Sequence, residues 1–249
     1  VLYALLRRLF HSRVDTVEDA EELGVAPVLG AVTVAPKQAA IATTIIQNPN
    51  GQVAESVRSV AASLRFMAVD KPRRVILITS SNSGEGKTSV TLALALVLAE
   101  AGSRVLVVDA DLRRPTVAKY TELEGTIGLT NVLVGDLTLD QAAQPWGYPN
   151  LMVLTSGEEP PNPGQLISSG RLESVIASAR GEFDYVLLDS PPVLSVSDPM
   201  WLAALTDGAM VVARIGKATG PETRKTADTI EARKPHVLRR VLTGVEAKS

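Results

Sequence analysis

Past Pro72, the apolar residues of the chain come in short unbroken runs, separated by longer segments in which apolar positions recur with helical spacing. Continuous apolar runs of this kind are typical of strands that are buried on both faces of a sheet. The pattern predicts strands at 74–79, 104–109, 151–155, 184–189 and 209–214, and a final short strand within 237–245.

The segments between these runs predict helices at 88–101, 163–180, 198–206 and 221–232. Strands that alternate with helices are joined by right-handed crossovers, so helices cover both faces of the sheet. The predicted fold class is therefore α/β, with a doubly wound, mostly parallel sheet.

The pattern upstream of Pro72 is less regular. Thr16 and Asp19 have the spacing of a capping box, which predicts a short acidic helix ending at Leu23. A brief extended segment, Ala-Pro-Val-Leu-Gly-Ala-Val, follows this helix. In residues 52–69, apolar positions at alternating steps of four and three predict a helix with a single apolar stripe.

Residues 34–51 carry Pro36, Pro49 and an Asn-Gly pair but little periodicity, which predicts a linker. The chain is accordingly expected to consist of a segment at 1–33, the linker, and one domain at 52–249.

Composition and charge narrow the classes of function. The 249 residues are 45% hydrophobic and 21% charged, a globular balance, with a formal net charge of −2. Proteins that coat nucleic acid need an excess of cations, so nucleic acid is not an expected partner. The absence of Cys excludes disulfides, thiolate metal sites and cysteine nucleophiles, and two His residues make an imidazole metal cluster improbable.

The first thirteen residues begin apolar and then become basic, with Arg7, Arg8 and Arg13. Positive charge of this kind is typical of the chain just cytoplasmic of a membrane-spanning helix. An amphipathic surface helix explains the same pattern equally well. No apolar run reaches the roughly 18 residues that a spanning helix needs.

The strongest chemical motif follows the first predicted strand of the domain. A turn with two glycines leads directly into a helix, and backbone N–H groups in such a turn converge on phosphate oxygens. Lys87 is expected to reach the outer phosphates, and Thr88 to ligate Mg²⁺. The first glycine of the usual pattern is Ser81 here. The predicted nucleotide-binding residues are Ser83, Gly84, Glu85, Gly86, Lys87, Thr88 and Ser89.

Three carboxylates follow predicted strands. Asp109 and Asp111 come at the end of one apolar run, and Asp189 ends another. Open α/β sheets bind their ligands at the carboxyl edge of the strands, so these acids are expected beside the bound nucleotide. Asp109 and Asp189 are expected to lie where this edge is open to solvent. Asp109 or Asp111 is expected to accept a proton from an attacking hydroxyl, and Asp111 and Asp189 to hold Mg²⁺.

These motifs together resemble those of a known family. Gly84–Thr88, the segment Val-Asp-Ala-Asp-Leu-Arg-Arg-Pro and the segment Leu-Leu-Asp-Ser-Pro-Pro look like the Walker A, A′ and B motifs of the bacterial tyrosine kinases of capsule and exopolysaccharide synthesis. Connecting segments near residues 128–135 and 157–163 agree. Residues 12–30 resemble the stretch that follows the second membrane helix in chain-length-determinant proteins fused to such kinases.

The resemblance implies a P-loop kinase at the cytoplasmic face of the bacterial plasma membrane, with ATP and Mg²⁺ as cofactors. It implies Lys87, Asp109 and Asp111 as catalytic residues and Thr88, Asp111 and Asp189 around the metal. The implied partners are a tyrosine-containing protein, in the same chain or another, and the membrane part of a polysaccharide co-polymerase.

The sequence departs from the family in two places. Glu55 and Arg58 match the first two positions of the E-x-x-R-x-x-R oligomerisation motif, but Ala61 stands at the third. Only a weak homo-oligomer through Glu55 and Arg58 is therefore expected. An ordinary surface ion pair between these two residues, three positions apart on a helix, explains them equally well. The family also usually carries a tyrosine-rich C-terminal tail, whereas the tyrosines here are Tyr3, Tyr120, Tyr148 and Tyr185.

Two alternative functions stay open at this point. One is an ATP-binding regulatory module with little kinase activity. The other is a partitioning or positioning ATPase of the deviant Walker A group, although the extra lysine of that group is replaced by Asn82. The basic residues between Arg214 and Arg240 are interpreted as a solvated helix surface.

Overall fold

One eight-stranded sheet organises the chain in a computed structural model that describes residues 13–22, 27–33, 41–67, 74–232 and 237–245. The spatial order of its strands is β1-β8-β7-β2-β6-β3-β5-β4. Neighbouring strands are parallel except for β4 and β5, which pair antiparallel at one edge. The α/β fold class with a mostly parallel sheet is confirmed.

The strands of this sheet differ in length from three to nine residues. They are β1 (Val28–Thr33), β2 (Val75–Ser80), β3 (Val105–Asp109), β4 (Gln144–Trp146), β5 (Tyr148–Leu154), β6 (Tyr185–Asp189), β7 (Gly208–Arg214) and β8 (Val237–Val245). The predicted central strands are present, with ends that differ by at most three residues.

The helices of the described residues connect these strands. They are α1 (Val17–Glu22), α2 (Ile41–Gln47), α3 (Gln52–Met67), α4 (Lys87–Glu100), α5 (Val117–Thr121), α6 (Leu129–Val134), α7 (Leu139–Ala142), α8 (Pro163–Ile167), α9 (Gly170–Glu182), α10 (Asp198–Ala204) and α11 (Gly220–Glu231). None of them has both the length and the apolar character that crossing a membrane requires.

Helices cover both faces of the sheet, as the sequence predicts. On one face, α2, α3 and α4 pack over side chains such as Ile76, Val107 and Leu187. On the other face, α6 to α11 pack over Leu77, Val108 and their neighbours. Helix α4 is buried on every side from Thr88 to Ala99, since it lies between the sheet and the outer helices.

Two predictions about the segments outside the strands are wrong, one of a single helix and one of a linker. The segment at 163–180 is two helices, because Ser169 adopts extended backbone (φ −78°, ψ 148°) and begins α9 anew. The linker predicted at 34–51 contains α2, whose Ile41, Ala42 and Ile45 are buried in the core. The helix is too short for its periodicity to stand out. Residues 34–40 lie outside the described part of the chain.

The segment upstream of the predicted linker also joins the sheet. Thr16 and Asp19 form the predicted capping box, with the Asp19 N–H donating to Thr16 Oγ1 at 3.0 Å and the Thr16 N–H to Asp19 Oδ2 at 3.0 Å. Strand β1 then pairs in parallel with β8. The basic residues Arg7 and Arg8 lie outside the described residues.

Candidate nucleotide site

The predicted phosphate-binding turn connects β2 to α4 at the carboxyl edge of the sheet. Gly84 (φ +77°) and Gly86 (φ +94°) adopt the left-handed backbone that favours glycine. Gly86 directly precedes α4, so the unpaired N–H groups of the first turn of this helix face the place where phosphate is expected. We refer to residues 81–88 as the P-loop.

The hydroxyl of Thr88 connects the P-loop to the neighbouring strand. Its Oγ1 donates to Asp189 Oδ2 at 2.6 Å and lies 2.9 Å from Thr116 Oγ1. Thr91 Oγ1 lies 3.4 Å from the other Asp189 oxygen. Oxygen ligands of this kind are what Mg²⁺ prefers, so Thr88 and Asp189 fit a metal-binding role beside bound phosphates.

Lys87 extends from the start of α4 toward the same side of the loop. Its Nζ lies 3.6 Å from Asp111 Oδ2, and both side chains are largely buried. The other oxygen of Asp111 accepts the Arg114 N–H at 3.1 Å. The site therefore brings together Lys87, Thr88, Asp111 and Asp189, four of the residues that the sequence predicts.

Asp109 occupies a different environment from Asp111. It is fully buried, and its carboxylate accepts the N–H groups of Asp111 (3.2 Å), Thr116 (3.2 Å) and Val117 (3.0 Å). These contacts hold the loop after β3 in place. The expectation that Asp109 and Asp189 lie at a solvent-open edge is wrong, because both are 0% exposed.

Burial dominates the electrostatics of these acids. It raises the pKa of Asp109, and the charge of the neighbouring Asp189 raises it further. Burial also raises the pKa of Asp189, while the positive charge of Lys87 and the hydrogen bond from Thr88 oppose the increase. A divalent cation placed here would stabilise the ionised carboxylates.

Glu85 is a residue of the P-loop itself and is only 1% exposed. Its Oε2 accepts the N–H groups of Ser81 (2.9 Å) and Asn82 (3.2 Å), whereas its buried Oε1 has no hydrogen-bond partner among the described residues. Burial raises the pKa of Glu85 to about 7. The side chain of Glu85 thus shapes the loop from within.

Sequence reasoning missed several residues around the site. Thr116 is one, since nothing in its context suggests a contact with Thr88. Another is the ion pair between Arg113 and Asp198, with Arg113 Nε 2.8 Å from an Asp198 carboxylate that is 1% exposed. Arg113 lies in a segment that resembles the family motif, which marks it as a candidate. The motif does not show that Asp198 is its partner.

The interpretation of the basic residues after Arg214 as a solvated helix surface is wrong for Arg240, which lies in β8 and is 1% exposed. Lys217 is exposed, but it stands in the turn after β7 rather than in a helix. Its Nζ donates to Ser83 O at 2.7 Å, which places it on the P-loop.

The predicted oligomerisation residues make contacts within the chain. Arg58 binds Glu100 through Nη2 (2.9 Å) and also donates to the Pro49 carbonyl at 2.7 Å. Glu55 is largely exposed and lies 3.4 Å from Arg58. Ala61, at the third motif position, is buried.

The fold and the site together define a P-loop nucleotide-binding protein of the doubly wound α/β class. Comparison with known proteins agrees. A sequence family described as an AAA domain matches residues 73–217. The tyrosine-protein kinase YwqD of Bacillus subtilis is 36% identical over 196 residues, which cover 79% of this chain and 83% of that protein.

The solved kinase domain of the Escherichia coli tyrosine kinase Etk superposes with a TM-score of 0.85 at 27% identity, and the match covers 92% of this chain and 94% of that domain. The chain belongs to the family of bacterial tyrosine kinases. It spans 28% of the length of full Etk, to which it is 31% identical over 200 residues.

A more distant likeness connects the chain to a second class. The septum site-determining protein MinD of Pyrococcus horikoshii, solved with Mg-ADP, is 28% identical with a TM-score of 0.59. That match covers 68% of this chain and 69% of MinD. The Etk kinase domain is thus similar to a larger part of this chain than MinD is.

Proposed function

We propose that this chain is the catalytic domain of a Mg-ATP-dependent protein-tyrosine kinase. The observation that carries the proposal is the convergence of Lys87, Thr88, Asp111 and Asp189 on one side of a P-loop. Phosphoryl transfer needs mainly positioning and charge stabilisation, so a small set of such residues is sufficient.

Each residue has a separate task in this proposal. The P-loop N–H groups bind the phosphates of ATP, and Lys87 neutralises the outer ones. Thr88, Asp189 and Asp111 would hold Mg²⁺, which spreads the negative charge that develops on the transferred group. Asp111 also holds the Lys87 ammonium in position through their 3.6 Å contact.

The transfer is an in-line displacement. The phenol oxygen of the acceptor forms a bond to the γ-phosphorus, the bond from that phosphorus to the bridging oxygen breaks, and ADP leaves. The phenol proton passes to Asp111. Asp109 is assigned a positioning role instead, because three backbone N–H groups already engage its carboxylate.

The acceptor tyrosine is proposed to come from another molecule or from residues outside the described part of the chain. Tyr120, Tyr148 and Tyr185 are partly buried and pack against the core. Tyr185 begins β6, whereas Asp189 ends that strand at the carboxyl edge. Tyr185 therefore lies at the opposite edge of the sheet from the P-loop.

A role in capsule or exopolysaccharide synthesis, together with a membrane-embedded co-polymerase, completes the proposal. The resemblance of residues 12–30 to the stretch that follows a membrane helix supports it. We also propose that the chain associates weakly with other copies of itself through Glu55 and Arg58.

Incubation of the chain with Mg-ATP and a synthetic glutamate–tyrosine copolymer tests the kinase proposal, with phosphotyrosine as the readout. We expect transfer with the wild type and none with Lys87→Met. A copolymer with phenylalanine in place of tyrosine is the matched control. ATP binding without transfer would contradict the kinase proposal and favour the regulatory module.

A further inference from the structure

Lys217 follows β7, the strand adjacent to β2 in the sheet, and crosses to the P-loop. Its Nζ donates to Ser83 O at 2.7 Å. The same Nζ lies 2.7 Å from the point where a Cβ at Gly84 would stand. The ammonium group therefore lies directly against the outer turn of the loop, at Ser83 and Gly84.

The backbone that carries Lys217 is fixed independently of this contact. The Lys217 N–H donates to Arg214 O at 3.0 Å, and the Ala218 N–H donates to the same oxygen at 2.8 Å. Ala218 is fully buried. Because the main chain is held on both sides of the lysine, little backbone freedom is lost when its side chain contacts the loop.

No acid in the described part of the chain neutralises the charge of Lys217 by direct contact. Among the described residues it forms no salt bridge. Burial raises the pKa of Glu85 in the P-loop, and the positive charge of Lys217 opposes part of this increase. A lysine that donates to a neutral carbonyl keeps its charge available to an anionic ligand.

The placement of the other charged groups gives the direction of a bound nucleotide. Lys87, Asp111 and Asp189 lie on the β6 and β3 side of the loop, which makes this the side of the terminal phosphate and its metal. The nucleoside is at the other end of the phosphate chain. It is therefore expected on the β7 side, where Lys217 stands.

We propose that Lys217 is a second lysine of the nucleotide site, an inference that rests on the proposed ATP-dependent function. Its ammonium clamps the turn at Ser83 and Gly84 in the phosphate-binding conformation. Its four-carbon stem lines the space for the nucleoside. Lys217 is thus a positioning residue on the side of the loop opposite to Lys87.

Calorimetric titration with Mg-ATP and with magnesium triphosphate, which lacks the nucleoside, separates the two roles. Lys217→Met keeps most of the stem and removes the donor, so we expect about three- to tenfold weaker binding of both ligands. Lys217→Ala also removes the stem, and a further loss is expected for ATP alone. Lys225→Met removes an exposed lysine of α11 and should bind both ligands like the wild type.

Two further readouts distinguish positioning from a general structural role. Lys217→Arg retains a donor and should restore most of the affinity, and the unfolding midpoint of ligand-free Lys217→Met should equal that of the wild type. In the transfer assay, the KM for ATP should rise more than kcat falls.

Unchanged binding of both ligands by Lys217→Met would overturn the clamp, as would an equal loss in Lys225→Met. A failure of the proposed function would look different. In that case the wild type itself would not bind Mg-ATP, or Lys87→Met would bind it equally well.

Discussion

The Thr88 hydroxyl lies 2.6 Å from Asp189 Oδ2, although 101 residues separate the two in sequence. The contact joins the first turn of α4 to the end of β6, so the P-loop and the acid of the adjacent strand form one unit. A hydroxyl has lone pairs besides its proton, so Thr88 could hold Mg²⁺ and still donate to the Asp189 carboxylate.

Asp189→Asn tests this unit. The asparagine oxygen can still accept from Thr88, so the free energy of unfolding is expected to stay within about 1 kcal/mol of wild type. The lost charge should weaken Mg²⁺-dependent ATP turnover at least tenfold. Denaturant titration and a phosphate-release assay at several Mg²⁺ concentrations measure the two effects. Loss of folding would show that Asp189 is structural.

Asp109→Asn is expected to act on stability. An amide offers one acceptor oxygen where the carboxylate uses two for three N–H groups, so at least one buried N–H loses its partner. The free energy of unfolding should fall by about 1–3 kcal/mol. Denaturant titration beside Asp189→Asn provides the comparison. Normal stability with lost turnover would instead make Asp109 part of the chemistry.

Lys87→Met should reduce the affinity for Mg-ATP at least tenfold, equivalent to about 1.4 kcal/mol. The reason is that the largely buried ammonium beside Asp111 is replaced by a neutral group where phosphate charge must be balanced. Lys119→Met, which removes an exposed lysine of α5, is the matched control for calorimetry. Equal affinities in the two variants would refute the site assignment.

The titration of the Glu85 carboxyl group should be visible in the pH dependence of the free energy of unfolding. Its pKa in the folded chain, about 7, lies above its ordinary value of 4.5, so the folded state binds the proton more tightly. The protonated Glu85 therefore stabilises the folded state at low pH, and this stabilisation is lost as pH rises through about 7. The free energy of unfolding should fall by roughly 3 kcal/mol at most. Glu85→Gln keeps an acceptor oxygen and should flatten this part of the profile in denaturant titrations from pH 5 to 8.

Self-association of the isolated chain is expected to be weak at micromolar concentration. Arg58 already contacts Glu100 and Pro49 O, and Ala61 presents no charge to a neighbour. Exposed ion pairs contribute about 1 kcal/mol or less. Light scattering over a dilution series measures the association, and a ring that persists on dilution would contradict the expectation. Ala61→Arg should then strengthen a weak equilibrium, with its thermal stability checked because Ala61 is buried.

Local patterns predicted the central sheet well. Buried strands such as β6 appear in the sequence as unbroken apolar runs. The P-loop was recognisable because its two glycines adopt the positive φ angles that such a turn requires. The long-range partners could not be read in this way. Lys217 resembles any exposed lysine in sequence, and its contact with Ser83 exists only because β7 and β2 are adjacent in the sheet.

The position of β8 has a consequence for the order of folding during synthesis. Strand β8 lies between β1 and β7, and Val28 pairs with Arg240, more than 200 residues later in the chain. On the ribosome, β1 is made before the other described strands but finds its neighbour only after nearly all of the described residues have been made. Until then its edge is unpaired, so β1 is expected to dock last and to be the strand most exposed to mispairing in the nascent protein.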